Sequence, residues 1–370
     1  MRRPVSLLIA SSLLCACFMS GCEGFAEETQ VPQVTVPVAA QGEFIVGVIC
    51  HGNKRATEGF DAAHIEAVRA AADGLGVSTV RISDEVEGDV AVRNAVEDLA
   101  EYGCDIIFDI DFDHMSAFAD AAEEYPDIAF CQYGGYFNNE TNFINYSGRM
   151  YQASYLAGIA EGYRSLSSGN NEIAYEAYEF AGPSQLHSMA NAFALGAQAV
   201  NPDATVDLQF IEPDAESTEE TAEALSAEPV VIDTSDMLTY PVEDLQSFYE
   251  LAISTSMYEA SASEFVSNMG GDYYGSLFDG YVSWAPLSES CPPAASEAIT
   301  LAYDLMLSGQ WDVFSGTALV FEGDAGSVSV TQVPQDLTAS GGNVIVEAGS
   351  PALSDPVIRG YMDYYVEGIS

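Results

Sequence analysis

A short apolar run followed at once by a polar loop and an amphipathic helix opens the folded part of this chain, and it restricts the fold to α/β architectures. Phe44-Ile45-Val46-Gly47-Val48-Ile49 lacks polar alternation, the pattern of a strand covered on both faces. Cys50 to Ala56 is a polar loop. Thr57 is placed to cap a helix whose Phe60, His64, Val68, Ala71 and Leu75 share one stripe, with Gly74 and Gly76 as its stop. In an open parallel sheet, ligands bind beyond the carboxyl ends of strands, where loop and helix N-terminus expose backbone N–H groups. The loop from His51 to Asp61 is therefore the first place to look for a site.

The alternation continues. Strands are expected at Ser78–Ile82, Asp105–Ile110 and Ile128–Gln132, with helices at Asp89–Tyr102 and Ser116–Tyr125, then a loop through Gly134-Gly135 and Asn138-Asn139. Strand and helix at this spacing imply right-handed βαβ units and a parallel, doubly wound sheet. The pattern then restarts with helices Tyr151–Arg164, Gln185–Val200 and Thr218–Ala227, and strands Glu172–Ala177, Val206–Ile211 and Val230–Ile232. Gly280–Trp284, helix Ala294–Leu307 and strand Thr317–Phe321 complete the two sheets. The expected organisation is a first lobe over 43–146 with return elements near 280–307, and a second over 147–279 with late elements near 308–370.

The extreme N-terminus stands apart. Arg2 and Arg3, an apolar run from Val5 to Phe18 and then Met19-Ser20-Gly21-Cys22 describe a secretory signal over 1–21. The cysteine at the cut resembles a lipobox, which implies acylation of Cys22, with 22–42 as an acidic, then Pro/Val-rich tether from the membrane. Beyond the signal, 8 basic residues face 57 acidic ones, a formal charge of −49, and Lys54 is the sole lysine. Such a surface repels nucleic acid and anionic lipid, so no nucleic-acid partner is expected. Apolar residues at 48% and aromatic residues at 11% exclude acidity as a sign of disorder. Outside the signal, no stretch approaches the ~18 apolar residues of a membrane span. Cys50, Cys104, Cys131 and Cys291 match no metal ribbon, and they read as buried free thiols, or one disulfide in an exported chain.

Chemistry concentrates at strand ends. His51 follows the first strand, His64 lies on the next helix, His114 follows the third strand, and Asp109, Asp111 and Asp113 crowd the same rim. Imidazole and carboxylate suit zinc or manganese, but no HxH or HxxxH pair on one element fixes such ligands. Polar loops at strand ends are the plainer account, and neither metal nor cofactor is expected. Phe60, Phe112, Tyr133, Tyr136, Phe137, Tyr178 and Phe180 also fall at or just past strand ends, and rings with a few polar groups suit a flat, weakly charged ligand. There is no GxSxG, Walker loop or GxGxxG after a strand, so no enzyme is read.

Several long stretches resemble the basic membrane protein family of ABC-transporter substrate-binding lipoproteins. They are Tyr102–Phe108, Phe112 with Met115, Glu124–Asp127, Asn145–Gly158 and Asn191–Ala204, within a region from about Phe44 to Val206. The resemblance implies a type I periplasmic-binding-protein fold, two doubly wound parallel-sheet lobes joined by a hinge. It implies that Phe60 and Asp61 stand where the family has an aromatic and an asparagine that meet the ligand. An aspartate of nucleoside receptors is replaced by Ala56 or Thr57, another by Ser116, and a late lysine by Val282-Ser283-Trp284; Asp236 could match a second-lobe acidic position.

The expected function is an extracytoplasmic, lipid-anchored solute-binding protein that captures a small aromatic solute, a purine nucleoside or nucleobase, for ABC permease subunits. The alternative is a receptor signalling to a membrane partner. Expected ligand contacts are His51, Asn53, Phe60, Asp61, His64, Asp111, Phe112, His114, Ser116 and Tyr136 on one side, with Phe180, Gln185, Asp236 and Trp284 on the other.

Overall fold

The computed structural model describes residues 43–57, 59–136, 139, 141–177, 183–210 and 237–370. The expected Cys22 anchor, the helix at 218–227 and the strand at 230–232 lie outside these residues.

Strands β1 (Ile45–Ile49), β2 (Thr79–Ser83), β3 (Ile106–Asp109), β4 (Ala129–Tyr133), β5 (Phe143–Gly148) and β9 (Tyr273–Gly275) form a six-stranded sheet in the order β2-β1-β3-β4-β5-β9. Every pair in it is parallel. Helices α1 (Phe60–Gly74) and α6 (Leu245–Tyr258) pack together on one face, α2 (Gly88–Tyr102) and α3 (Met115–Glu124) on the other. The period of two along the strands divides the side chains accordingly. Val46, Val48, Ile106 and Phe108 join the core that includes α1 and α6, while Ile49, Ile107, Phe130 and Phe143 join α2 and α3.

Strand β5 was not among the expected elements. From Ile144 to Ser147 its sequence FINYSG alternates apolar or aromatic with polar residues, as a half-exposed strand does, yet all six residues are buried. The polar Asn145 is accommodated because its backbone N–H and side-chain amide both donate to Asp272 Oδ1, at 2.8 and 3.0 Å. The start of α1 also differs. Its N-cap is Gly59, at φ 95°, with no side-chain cap bond, so Thr57 does not cap the helix.

Beyond β5 the chain builds a second layer. Helices α4 (Met150–Ser168) and α5 (Pro183–Val200) cross closely, and strands β6 (Glu172–Ala177) and β7 (Thr205–Phe210) pair in parallel. The C-terminal tail continues that sheet through a parallel bridge from Val206 to Ile369. A Cβ on Gly158 would collide with the Phe193 carbonyl, and one on Gly196 with that of Tyr155; this crossing requires glycine at both positions.

The late elements join the lobes differently from expectation. Segment 245–275 was assigned to the second lobe, but α6 packs on α1 and β9 extends the first sheet. The elements near 280–307 were assigned to the first lobe. Instead, β10 (Val282–Trp284) pairs antiparallel with β8 (Pro241–Glu243), and both pack on α4, as does helix α8 (Pro293–Leu307). Strands of three residues carry no readable period, so burial alone could not assign them. Helix α7 (Ala262–Met269) follows α6. The hairpin β11 (Thr317–Glu322) and β12 (Ser329–Pro334), the pair β13 (Leu337–Thr338) and β14 (Val344–Val346), and helix α9 (Asp355–Tyr361) complete the chain. The chain thus leaves the first sheet at Gly148, packs back against α1 through α6, rejoins the sheet at Tyr273 and leaves again after Gly275. The four cysteines beyond residue 43 are free, three of them buried.

Candidate functional site

The chain crossings bring strand ends, two helix starts and α9 around one cleft. Phe112 and Gly134 approach from the ends of β3 and β4, Arg149 from the β5–α4 junction, Gln185 and Ser188 from α5, Tyr274 from β9, and Asp355 and Arg359 from α9. The cavity among these residues has a volume of about 40 Å³, well below the roughly 300–1,000 Å³ of small-molecule sites, so the lining must part to admit a ligand of that size.

Two of the chain's few cations line this cleft. Arg149 is committed: its Nε and Nη2 donate to the two carboxylate oxygens of Asp355 at 2.8 and 2.6 Å, a bidentate pair. Arg359 is held differently. Its guanidinium lies 4.5 Å from the centroid of the Tyr274 ring, while its Nε is buried without a hydrogen-bond partner among the described residues. A buried donor left unmade costs about 1–3 kcal/mol, so an acceptor brought by a ligand gains that amount.

The second cluster lies on the rim formed by the loops after β1 and β3. Asp61, at the start of α1, accepts the Gly52 N–H at 2.5 Å. Burial pushes its carboxyl up to about 6 despite that bond, and the negative charge of Asp111 adds to the shift. His51 Nδ1 lies 3.6 Å from Asp111 Oδ2. His114 is buried, with Nδ1 3.0 Å from Asp109 Oδ1 and Nε2 3.0 Å from the Val86 carbonyl. That carbonyl can only accept, so Nε2 carries a proton. Burial opposes charging the ring, but the carboxylates of Asp109 and Asp111 prevail and push His114 up to about 9. His51, Asp111 and His114 each offer a donor atom, all within 4.8 Å of one another.

The remaining residues expected at the site are placed as follows. Phe112 and Gln185 line the cleft. Phe60 packs against His64 and Tyr133, with ring centroids 4.2 and 5.1 Å apart. Tyr136 is exposed, 6.3 Å from the Phe112 ring. Asn53 donates to Glu85 at 3.0 Å, outside the cleft lining, and Ser116 is exposed on α3. Trp284 packs on Tyr303 of α8 at 5.0 Å and does not line the cleft. His64 is fully buried, and its Nδ1 lies 2.5 Å from the Tyr249 hydroxyl. The metal set that combined His64 with His51 and His114 is therefore broken up, because α1 turns His64 into the core. Phe180 and Asp236 lie outside the described residues.

Sequence reasoning missed Arg149, Ser188, Tyr274, Asp355 and Arg359. A signal existed for two of them: in a chain with 57 acidic residues and 10 basic ones, each arginine is a rare choice. The contribution of α9 had no local signal, since it reaches the cleft only through the tail that Asn191 ties to α5, donating to the Tyr364 carbonyl and accepting the Val366 N–H, each at 2.9 Å.

Comparison with known proteins agrees with this architecture. An ABC transporter solute-binding protein from Aeropyrum pernix K1 superimposes with a TM-score of 0.54 at 13% identity, covering 75% of this chain and 93% of that one. A transcriptional activator of the comK gene from Bacillus halodurans does so with 0.54 at 19%, covering 72% and 99%. These show the type I periplasmic-binding-protein fold. In sequence, the chain is 33% identical over 208 residues to a Haloferax volcanii protein with the provisional name ABC transporter glucose-binding protein TsgA13, covering 55% of this chain and 50% of that protein. It is 27% identical over 189 residues to the purine-binding protein BAB2_0673 of Brucella abortus, covering 47% and 51%. The chain spans about half the length of these curated relatives. The family model described as Bmp, ABC transporter substrate-binding protein PnrA-like, matches residues 45–232, which is 188 of 370 residues, and the chain belongs to that family.

Proposed function

We propose that this chain is the solute-binding component of an ABC importer and that its two lobes close on a purine nucleoside or nucleobase, to be handed to permease subunits. The family is one of substrate-binding proteins, so the chain binds its solute rather than transforming it. The observation that carries the ligand reading is the cleft itself: aromatic walls from Phe112 and Tyr274, the amide of Gln185, and one unpartnered guanidinium N–H on Arg359. Stacking on an aromatic ring contributes about 1–3 kcal/mol per base, and arginine is the side chain that pairs with the O6 and N7 acceptors of a 6-oxopurine. A 6-oxopurine such as guanine or hypoxanthine, free or as its nucleoside, is the ligand this combination suits best. The purine-binding relative supports the reading.

A sugar is the second reading, motivated by the glucose-binding name of the Haloferax relative and by Gln185, Ser188 and Asp355 in the lining, which suit hydroxyl groups. Mass spectrometry of material released on denaturing the purified protein, together with thermal melting in guanosine, inosine, adenosine and glucose, separates them. Stabilisation by a 6-oxopurine and not by glucose supports the proposal; stabilisation by glucose alone overturns it. Anchoring through Cys22 and an extracytoplasmic location belong to the same proposal, and a mass shift equal to acyl chains on Cys22 would establish the anchor.

A further inference from the structure

We propose that His51, Asp111 and His114 form a binding site for a divalent transition cation of the zinc class, in the crevice where the first sheet reverses its strand order. From β1 the chain passes to β2 on one side and then to β3 on the other, so the loops leaving β1 and β3 diverge and open a crevice between them. Ile49 and Asp109 are paired at the ends of those two strands, which puts His51 two residues past one end and Asp111 two residues past the other. The 3-10 turn Phe112–His114 then swings the His114 ring back over the same crevice.

The spacing of the donor atoms fits an ion. His51 Nδ1 and His114 Nε2 each lie 3.6 Å from Asp111 Oδ2, and the three residues each offer one donor atom within 4.8 Å of the others'. A cation at about 2.0–2.2 Å from each donor in tetrahedral geometry sets the donors roughly 3.3–3.6 Å apart. Two separations already match. The third closes by a small rotation of the His51 ring, whose side chain is the most exposed of the three at 26%, and that side gives the ion its way in.

A second, independent feature is the support behind His114. Its Nδ1 is bonded to the fully buried carboxylate of Asp109, and Asp109 also accepts the Asp111 N–H at 3.0 Å. A carboxylate behind a histidine is the arrangement that orients ligating imidazoles toward a metal and raises their basicity. The ion takes the place of the proton on Nε2, which leaves to solvent, and the Val86 carbonyl that accepts that proton, 3.0 Å from Nε2, swings aside to admit it. Asp61 and Asp113 add further carboxylate charge around His51 and Asp111, which a dication offsets. Two imidazoles with one carboxylate select a zinc-class ion over calcium or magnesium, which prefer all-oxygen shells. Because Phe112 directly follows Asp111, the bound ion would also fix the ring that lines the cleft.

The test uses the full chain without a polyhistidine tag, titrated calorimetrically with zinc in millimolar calcium to saturate the carboxylate surface. One zinc per chain is expected, with His51→Ala and Asp111→Asn each weakening binding by more than about tenfold, Asp109→Asn by about 10–100-fold, and His187→Ala, on α5 with its ring 4.4 Å from that of Tyr365, leaving it unchanged. Asp109 acts as a positioning residue, so in its variant the cobalt(II) visible spectrum should keep its bands while affinity falls. No binding in calcium, or binding that His51→Ala and Asp111→Asn leave intact, overturns the proposal. Should those variants fail to fold, the wild-type cobalt(II) spectrum decides: bands typical of nitrogen ligation support the site, and the spectrum of the hexa-aquo ion excludes it.

Discussion

The hydroxyl of Tyr133, the last residue of β4, donates to the carboxylate of Glu243, the last residue of β8, at 2.9 Å across 110 residues of chain. The other oxygen of the same carboxylate accepts the Gly148 N–H at 2.6 Å, where the chain first leaves the first sheet. One half-buried side chain therefore ties two of the crossings together.

Replacing Glu243 by alanine should destabilise the protein by about 2–4 kcal/mol, because two buried donors lose their acceptor together. Glu243→Gln keeps an acceptor and should cost less than half as much. Urea midpoints of the two variants check this, and equal losses would show that the carboxylate does not act through these bonds.

At the crossing of α4 and α5, Gly158→Ala should cost about 1–3 kcal/mol or more, since the added methyl meets the Phe193 backbone, which cannot yield as a side-chain end would. Gly74→Ala is the comparison. That helical position has only an ordinary 3.7 Å contact with Glu250, and alanine there should stabilise by up to about 1 kcal/mol. Thermal melting of both variants gives the difference directly.

His64 should make stability fall in acid. Burial pushes its pKa down to about 3 from 6.5, so the unfolded chain binds a proton between those values that the folded chain refuses. The contribution is whole above pH 6.5 and is lost as pH drops toward 3, about 3 kcal/mol between pH 7 and pH 4 at roughly 1.4 kcal/mol per unit. His64→Gln can still bond the Tyr249 hydroxyl but cannot titrate. Its stability should decline less over that range, and parallel declines would contradict a neutral buried imidazole.

In the cleft, Arg359→Gln and Phe112→Ala should each weaken ligand binding by at least about tenfold, from the loss of a charged hydrogen bond and of a stacking partner. Because Arg359 Nε has no hydrogen-bond partner among the described residues, its variant should melt within a few degrees of the wild type in the absence of ligand. A large fall in melting temperature would mean that Arg359 serves the fold instead. Binding is read by isothermal titration with the purine that stabilises the wild type.

Most of the first sheet was legible because its rules are local. The unbroken apolar run at β1, the 3.6-residue stripe on α1 and the glycine after Tyr102 each decide their own element, and Gly103 does close α2 in a left-handed conformation at φ 97°. The same stripe carried His64 among Phe60, Val68 and Ala71, so its burial was already implied by the spacing that suggested a ligand role.

What the sequence by itself determined is the alternation of strand and helix, the family motifs from Tyr102 to Ala204, and the concentration of histidine and aspartate just past β1 and β3. Tertiary structure alone decided which groups meet. Asp272 makes the polar β5 a buried strand, β9 joins a sheet begun more than 200 residues earlier, and α9 brings Arg359 over Tyr274. The physical reason is that periodicity reports the burial of a face, whereas a contact between distant segments depends on how the faces pack, which no local pattern encodes.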